Sequence, residues 1–337
     1  MAKIGKDSVQ FKNVFISDTA TVVGPLENEG PLANFFDFAF DDMYCEESSW
    51  EKAEQRLVKD AITLVMNKGF KNEKDIDYII AGDLINQDVI SNYVMREFDI
   101  PLFGIYGACS TSVEGLILAS IIIEGASGSD VIVSTSSHNS TAERQFRNPT
   151  EYGGQKPDTA TYTVTGAGAC LLTNKQTVIK VESATVGKVI DAKQKDANDM
   201  GSAMAPAASE TIRQHLEDLN REPSYYDMIV TGDLSNVGKP ILIDILKDNE
   251  IDISMNHSDC GLMIYDIDKQ PVFAGGSGCG CCAVVTFGYL ISLMKNKVLN
   301  RILVVATGAL MNPIMMFQKE TIPSIAHAIS LERYDIS

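Results

Sequence analysis

Positive charge is scarce in this sequence: 28 Lys and Arg stand against 45 Asp and Glu in 337 residues, a net −17 at neutral pH. That deficit argues against nucleic acid or anionic lipid as a partner held by bulk electrostatics, so an anionic ligand needs a local pocket. Long apolar runs are missing too. The longest, Val113 to Ile123, is broken by Glu114 and closed by Glu124, and the Met1 to Asp7 start has no signal-peptide core. The chain is therefore expected to carry no signal peptide and no transmembrane helix. Paired-cysteine spacing is also absent. The seven cysteines (Cys45, Cys109, Cys170, Cys260, Cys279, Cys281 and Cys282) are odd in number and form no disulfide framework, which fits a reducing compartment. What is present, 45% hydrophobic and 22% charged residues, is an ordinary globular composition, enough for one large core or two fused halves.

Read in order, the chain alternates strand and helix signals. A strand-like piece at 13–16 precedes a Gly/Pro-punctuated loop. Ser48 and Glu51 have capping-box spacing, and Trp50, Ala53, Leu57, Ala61, Leu64 and Val65 recur at helical spacing up to Gly69. A strand at 77–81, a helix near 89–98, a cysteine turn with a helix at 113–124 and a strand at 131–134 follow. This alternation predicts parallel strands with helical crossovers, an α/β layered fold. The stretch 138–147 reads as an irregular polar loop. Two strand-like runs (161–172, 178–189) and a helix (209–219) complete the first part.

The second part repeats the first. Asp227-Met228-Ile229-Val230-Thr231-Gly232-Asp233-Leu234 restates Asp77-Tyr78-Ile79-Ile80-Ala81-Gly82-Asp83-Leu84 at an offset of 150 residues. A helix (240–247), the turn Gly278-Cys279-Gly280-Cys281-Cys282, a helix (283–294) and a strand (302–307) then mirror the order around Cys109. Ser324 to Ser330 parallels Thr165 to Leu171. A repeat this long implies two duplicated α/β halves packed together, with ligands in a shared crevice at the strand-to-helix turns.

The chemistry-bearing stretch is Gly107-Ala108-Cys109-Ser110-Thr111-Ser112, which places a cysteine at a helix start. Free N–H groups and the helix dipole there favour thiolate over thiol and can hold an oxyanion or carboxylate. The alternative is a small buried residue in a tight turn.

These features resemble the thiolase-like superfamily, which includes the ketoacyl synthases. The stretches Ala81-Gly82-Asp83-Leu84, Ser136-Ser137-His138-Asn139, Thr141 to Arg147, Gly153-Gly154-Gln155-Lys156-Pro157, Met200 to Pro206 and His257 to Tyr265 resemble more narrowly the stage V sporulation protein AD family. The resemblance implies a thiolase-like α-β-α-β-α sandwich, divided here into residues 1–190 with the Cys109 turn and 191–337 with His257. It implies a protein peripheral to the inner membrane of bacterial spores. There it would bind dipicolinic acid (pyridine-2,6-dicarboxylate) and serve its uptake into the developing spore and its release in germination. Homodimerisation and membrane proteins of the same spore channel operon as partners are implied as well. No resident cofactor or metal is expected, with Ca²⁺ entering only as a companion of dipicolinate. Spacing also argues against a metal held by Cys260, Cys279, Cys281 and Cys282.

For the site, the resemblance makes Cys109 the acylated residue of the condensing enzymes and His257 its acid/base partner, both vestigial in a binding protein. The asparagine that assists them is missing: the segment where it is expected reads Gly275-Gly276-Ser277-Gly278-Cys279-Gly280-Cys281. One such donor is worth roughly 3 to 4 kcal/mol of barrier, which weakens the case for condensation. A second cysteine, Cys279 or Cys281, could substitute in thiolase fashion. The ligand-binding candidates are Asp83, Cys109, Ser110, Thr111, His257 and Ser277. Backbone N–H groups at 109–111, with His257, are expected to hold one carboxylate. Arg144 or Arg147 are candidates for the other, with surface or subunit-contact roles as their alternative, and His138 reads as a turn residue. A carboxylate at Asp83 would repel a dianion unless protonated, salt-bridged or joined to a cation, and Asp83 and Asp233 can equally cap the helices after them. The alternative to a binding protein is an active thiolase-type acyltransferase using Cys109 and His257; a third reading is a scaffold with a vestigial pocket.

Overall fold

Ten strands carry the fold in the computed structural model, which describes residues 1–146 and 156–334. The first five are β1 (Phe15–Val23), β2 (Tyr78–Gly82), β3 (Leu102–Gly104), β4 (Asp130–Ser137) and β5 (Gly166–Thr173). They lie side by side as β1-β5-β4-β2-β3. The second five are β6 (Ile179–Thr185), β7 (Met228–Thr231), β8 (His257–Asp259), β9 (Arg301–Ala309) and β10 (Ser324–Arg333), in the order β6-β10-β9-β7-β8. Each strand of one set thus has a counterpart in the other. Pairing directions match as well: β2 runs parallel to β3 and β4, and β7 parallel to β8 and β9, while β5 and β10 are antiparallel to their neighbours. The sets join where Phe15 and Ile16 of β1 pair with Lys180 and Ile179 of β6. β6 precedes residue 190 and pairs along its length with β10, while its other edge pairs with β1 and with residues Ser8–Gln10 of the N-terminal part.

Helices fill the remaining layers. α1 (Trp50–Lys68) starts at Ser49, one residue after the expected cap, where the serine side chain accepts the Lys52 N–H. Its stripe of Ala53, Leu57, Ala61 and Val65 is fully buried against β1, β4 and β5, the 3.6-residue periodicity expected of a helix that covers one sheet face. α2 (Val89–Val94) follows β2. α3 (Thr111–Glu124) is apolar on every side because it lies between the sets, against β2, β4, β9 and β10. α4 (Asn139–Phe146) corrects the expected loop: Thr141 and Ala142 turn inward, and the polar residues that made the stretch read as irregular form its outer face. α5 (Met200–Leu219) begins well before Ser209 because Asp199 caps it by accepting the Ser202 N–H. Pro206 lies inside this helix and hid its first two turns from the sequence pattern. α5 packs on α6 (Ser235–Asp248) and on β9 and β10. α7 (Cys279–Val284) continues through a π-helical turn at Val285–Leu290 into Ile291–Lys295 and lies beside α3.

The N-termini of α3 and α7 therefore meet in the middle of the molecule. Gly308 at the end of β9 permits that approach, since a Cβ there would stand 2.3 Å from the Gly107 carbonyl oxygen. Gly278 is a second requirement: its φ of +105° suits only glycine, and a Cβ would lie 2.6 Å from Ser137 Oγ.

Candidate functional site

The cysteine turn is built by its own hydroxyls. Ser110 Oγ donates to the Gly107 carbonyl at 2.7 Å, and Thr111 Oγ1 donates to the Ala108 carbonyl at 2.6 Å while accepting the Gly107 N–H at 3.0 Å. Ala108 is held at a φ of +52°, a backbone strain that the surrounding bonds fix. The Ser110 and Thr111 N–H groups donate to the Gly107 and Ala108 carbonyls. They are engaged within the turn, so two of the three N–H groups expected to hold a ligand carboxylate already have acceptors. Ser110 and Thr111 thus shape the site from inside the wall.

Cys109 borders a cavity of about 730 Å³ of open space, including its mouth. Leu84, Ala142, Phe146, Ala160, Met200 and Met311 give it apolar walls. Polar groups line it at Tyr106, Thr161, Asn198 and Ser277, and Lys156 and Glu143 form an ion pair there at 2.6 Å. Ser277 Oγ accepts the Thr161 hydroxyl at 2.8 Å. Ser277 and Cys109, both sequence candidates, are thus brought to one cavity.

The group that faces the thiol is Asp233. Its Oδ1 accepts the Thr307 hydroxyl at 2.6 Å and its Oδ2 accepts the Gly278 N–H at 3.1 Å, while the Cys109 thiol lies beside it. Burial raises the Asp233 acid to about 7 despite these donors. Burial and then the neighbouring Asp233 push the Cys109 thiol well above its ordinary value. Of the two readings of this cysteine, desolvation first and then the Asp233 carboxyl favour the buried thiol over the thiolate.

His257 lies elsewhere. It pairs with Ile229 at the start of β8, four residues before Asp233 along the neighbouring strand. Its Nε2 meets the Thr231 hydroxyl at 3.1 Å, and its Nδ1 has no hydrogen-bond partner among the described residues. Burial and the Lys239 charge hold the imidazole neutral, with its pKa near 3. The cavity is not lined by His257.

Asp83 is buried and already used. Its Oδ1 accepts the Ile85 N–H at 2.9 Å, and its Oδ2 accepts the N–H and hydroxyl of Ser91 at 2.9 and 2.7 Å. It is a cap for α2 and does not line the cavity. Arg144 pairs with Glu51 and lies over the Trp50 ring at 5.1 Å, a surface arrangement. Arg147 lies outside the described residues. His138 donates from Nε2 to the Met43 carbonyl and accepts the Ser140 N–H on Nδ1, the bonds of a turn residue.

The other cysteines face inward. Cys279 Sγ donates to the Ala108 carbonyl at 2.9 Å, bracing the turn from the opposite half, and Cys281 Sγ donates to the Gly232 carbonyl at 3.5 Å. Cys282 lies against Thr286 and, through a thiol contact, Cys260. Neither Cys279 nor Cys281 lines the cavity. Sequence reading left out Asp233, Thr307 and Lys156 as site residues. The duplicated Gly-Asp-Leu motif carried a signal for Asp233, and the Gly153 to Pro157 stretch carried one for Lys156.

A family model described as stage V sporulation protein AD matches residues 5–332. Stage V sporulation protein AD of Bacillus subtilis (strain 168) is 52% identical over 334 residues, covering 99% of this chain and 98% of that protein. Among solved structures, 3-oxoacyl-[acyl-carrier-protein] synthase III from Aquifex aeolicus VF5 matches with a TM-score of 0.57 at 15% identity, covering 95% of this chain and 100% of its own. A Xanthomonas campestris OleA variant matches with a TM-score of 0.62 at 14% identity, over 96% and 98% of the two chains. These two establish a thiolase-like fold. With a family model across nearly its whole length and a half-identical relative, the chain belongs to the stage V sporulation protein AD family, a sporulation protein on a thiolase-like scaffold.

Proposed function

We propose that the protein binds dipicolinic acid in the Cys109 cavity and serves its movement into and out of the spore, on a condensing-enzyme scaffold that no longer condenses. The single observation that carries the reading is the identity of the group facing the thiol. A carboxyl at Asp233 cannot act as the imidazole of a condensing site, and burial, with Asp233 beside it, favours the protonated Cys109 thiol. The cavity chemistry agrees with a flat aromatic dicarboxylate: apolar walls for the ring, the Lys156 ammonium for a carboxylate, and Thr161 and Asn198 as neutral donors.

The peripheral location at the spore inner membrane belongs to the same reading. No helix among the described residues is long and apolar enough to cross a membrane, so contact would run through membrane proteins, which we take to be products of the same operon. Homodimerisation belongs to it too. β3 ends its sheet, and Phe103 and Tyr106 beside that edge are 48% and 42% exposed, a strand edge suited to a second copy.

Calorimetric titration with dipicolinate tests the reading. Saturable binding is expected, weakened at least tenfold by Lys156→Ala and measurably by Cys109→Ala, and unchanged by His257→Ala. Absence of saturable binding, or equal affinity in all variants, would overturn it. The acyltransferase reading has its own test: an intact-mass shift at Cys109 after incubation with acyl thioesters would restore it.

A further inference from the structure

We propose that an anionic carboxylate ligand enters the Cys109 cavity together with one proton, which is held on Asp233 behind the wall formed by Cys109 and Gly278. The inference rests on the dipicolinate reading for the ligand's chemistry and deepens it by naming what balances the ligand's charge.

Among the described lining residues Lys156 is the cation, and it stands 2.6 Å from Glu143. A dianion arriving there meets an ammonium that already faces a carboxylate. Behind the cavity wall is Asp233, reached through two lining residues: the Gly278 N–H donates to it at 3.1 Å and the Cys109 thiol lies beside it. As a carboxylate, Asp233 would place a further negative charge one side chain from the ligand, in a buried setting where salt and water screen little. As the acid, it carries no charge and keeps its Thr307 and Gly278 partners.

The groups packed around Asp233 leave the proton as the source of compensation. Cys109 faces it from the turn, Cys279, Cys281 and Cys282 from α7, Asp259 from the end of β8 and Thr307 from β9. None of these is a cation. Asp259, the other carboxyl, is bound by the Leu234 and Ser235 N–H groups and the Thr231 hydroxyl at 2.9, 3.0 and 2.6 Å. Burial, with the Asp259 carboxyl adding to it, has brought Asp233 to about 7. An anion in the cavity moves that value higher, so that at neutral pH and above the proton is drawn from solvent as the ligand binds.

Titration calorimetry of the full chain with dipicolinate, at pH 6 and pH 8 in buffers of different ionisation enthalpy, counts the protons. Uptake of about one proton per ligand is expected at pH 8 and less at pH 6, with affinity falling by up to roughly tenfold per pH unit above neutrality. Asp233→Asn should abolish both the uptake and the pH dependence. Thr307→Val removes one donor to Asp233 and should keep the uptake while moving its midpoint to higher pH, a check that stands if the asparagine variant does not fold. Saturable binding with buffer-independent heat at pH 8, or unchanged uptake in Asp233→Asn, would overturn the proposal and leave the dipicolinate reading standing. No saturable binding at either pH would overturn that reading and the proposal with it.

Discussion

After β2, the Asp83 carboxyl turns back onto its own chain and accepts from Ile85 and Ser91; after β7, at the duplicated position, the Asp233 carboxyl turns across the molecule to Thr307, Gly278 and Cys109. The two start from the same Gly-Asp-Leu motif at the end of equivalent strands. What separates them is a third carboxyl. In the second half Asp259 accepts the Leu234 and Ser235 N–H groups, taking over the local work that Asp83 does in the first. Asp233 is thereby released to face the thiol. A duplicated fold can keep one copy of a motif for structure and turn the other to a site, and the capping bonds record which copy went where.

Breaking the structural copy should have the largest effect. Asp83→Ala strands the Ser91 hydroxyl and the Ser91 and Ile85 N–H groups in the interior, and we expect a loss of about 3 kcal/mol in urea denaturation. Gly278→Ala attacks the platform of the other copy. It forces a +105° φ and a 2.6 Å clash with Ser137 Oγ, with about 2 to 3 kcal/mol lost in the same assay.

The pH dependence of stability comes next. Burial raises Glu27 and Asp233 to about 7 and also raises Glu54, so the folded state holds protons that the unfolded chain releases near pH 4.5. Their stabilisation is complete below that pH and is lost as pH climbs through their folded values. Burial lowers His215 and His257 to about 3 and His327 to about 4, and these act in the opposite sense, costing stability as pH falls below about 6.5. Between pH 6.5 and 8 the acids outweigh the tail of the histidine titration, so thermal unfolding should show a lower midpoint at pH 8 than at pH 6.5, by about 2 kcal/mol in free energy. A flat profile over that interval would contradict the raised acids. Asp233→Asn sharpens the comparison further: stability should change by about 1 kcal/mol or less, while the pH at which Cys109 becomes alkylated should fall, because the neighbouring charge is gone. Arg144→Ala should do least. Its exposed pairing with Glu51 is worth about 0.5 kcal/mol, and dipicolinate affinity should not move.

The fold was legible because the hydrophobic periodicity and the repeat say the same thing twice. The Asp77 and Asp227 stretches became β2 and β7, and the order of elements around Cys109 reappears around Cys279. Boundaries failed where a local signal competed with packing: Pro206 hid the start of α5, and polar side chains hid α4. The site was half legible. Cys109 and Ser277 meet at one cavity across the two halves, as the shared-crevice reasoning expects. His257 does not line that cavity. Its depth on β8 depends on strand register, which sequence does not display. Asp233 was missed because capping explains an aspartate at a strand end equally well, and the competing cap, Asp259, lies far along the chain.

The most direct measurement of whether the old nucleophile pocket has become a binding pocket is the rate of Cys109 alkylation, followed by mass spectrometry with and without saturating dipicolinate. A ligand seated beside the thiol should slow modification at Cys109 at least several-fold. Equal rates in the presence and absence of dipicolinate, in a protein that binds it, would place the ligand elsewhere and contradict the assignment of the Cys109 cavity.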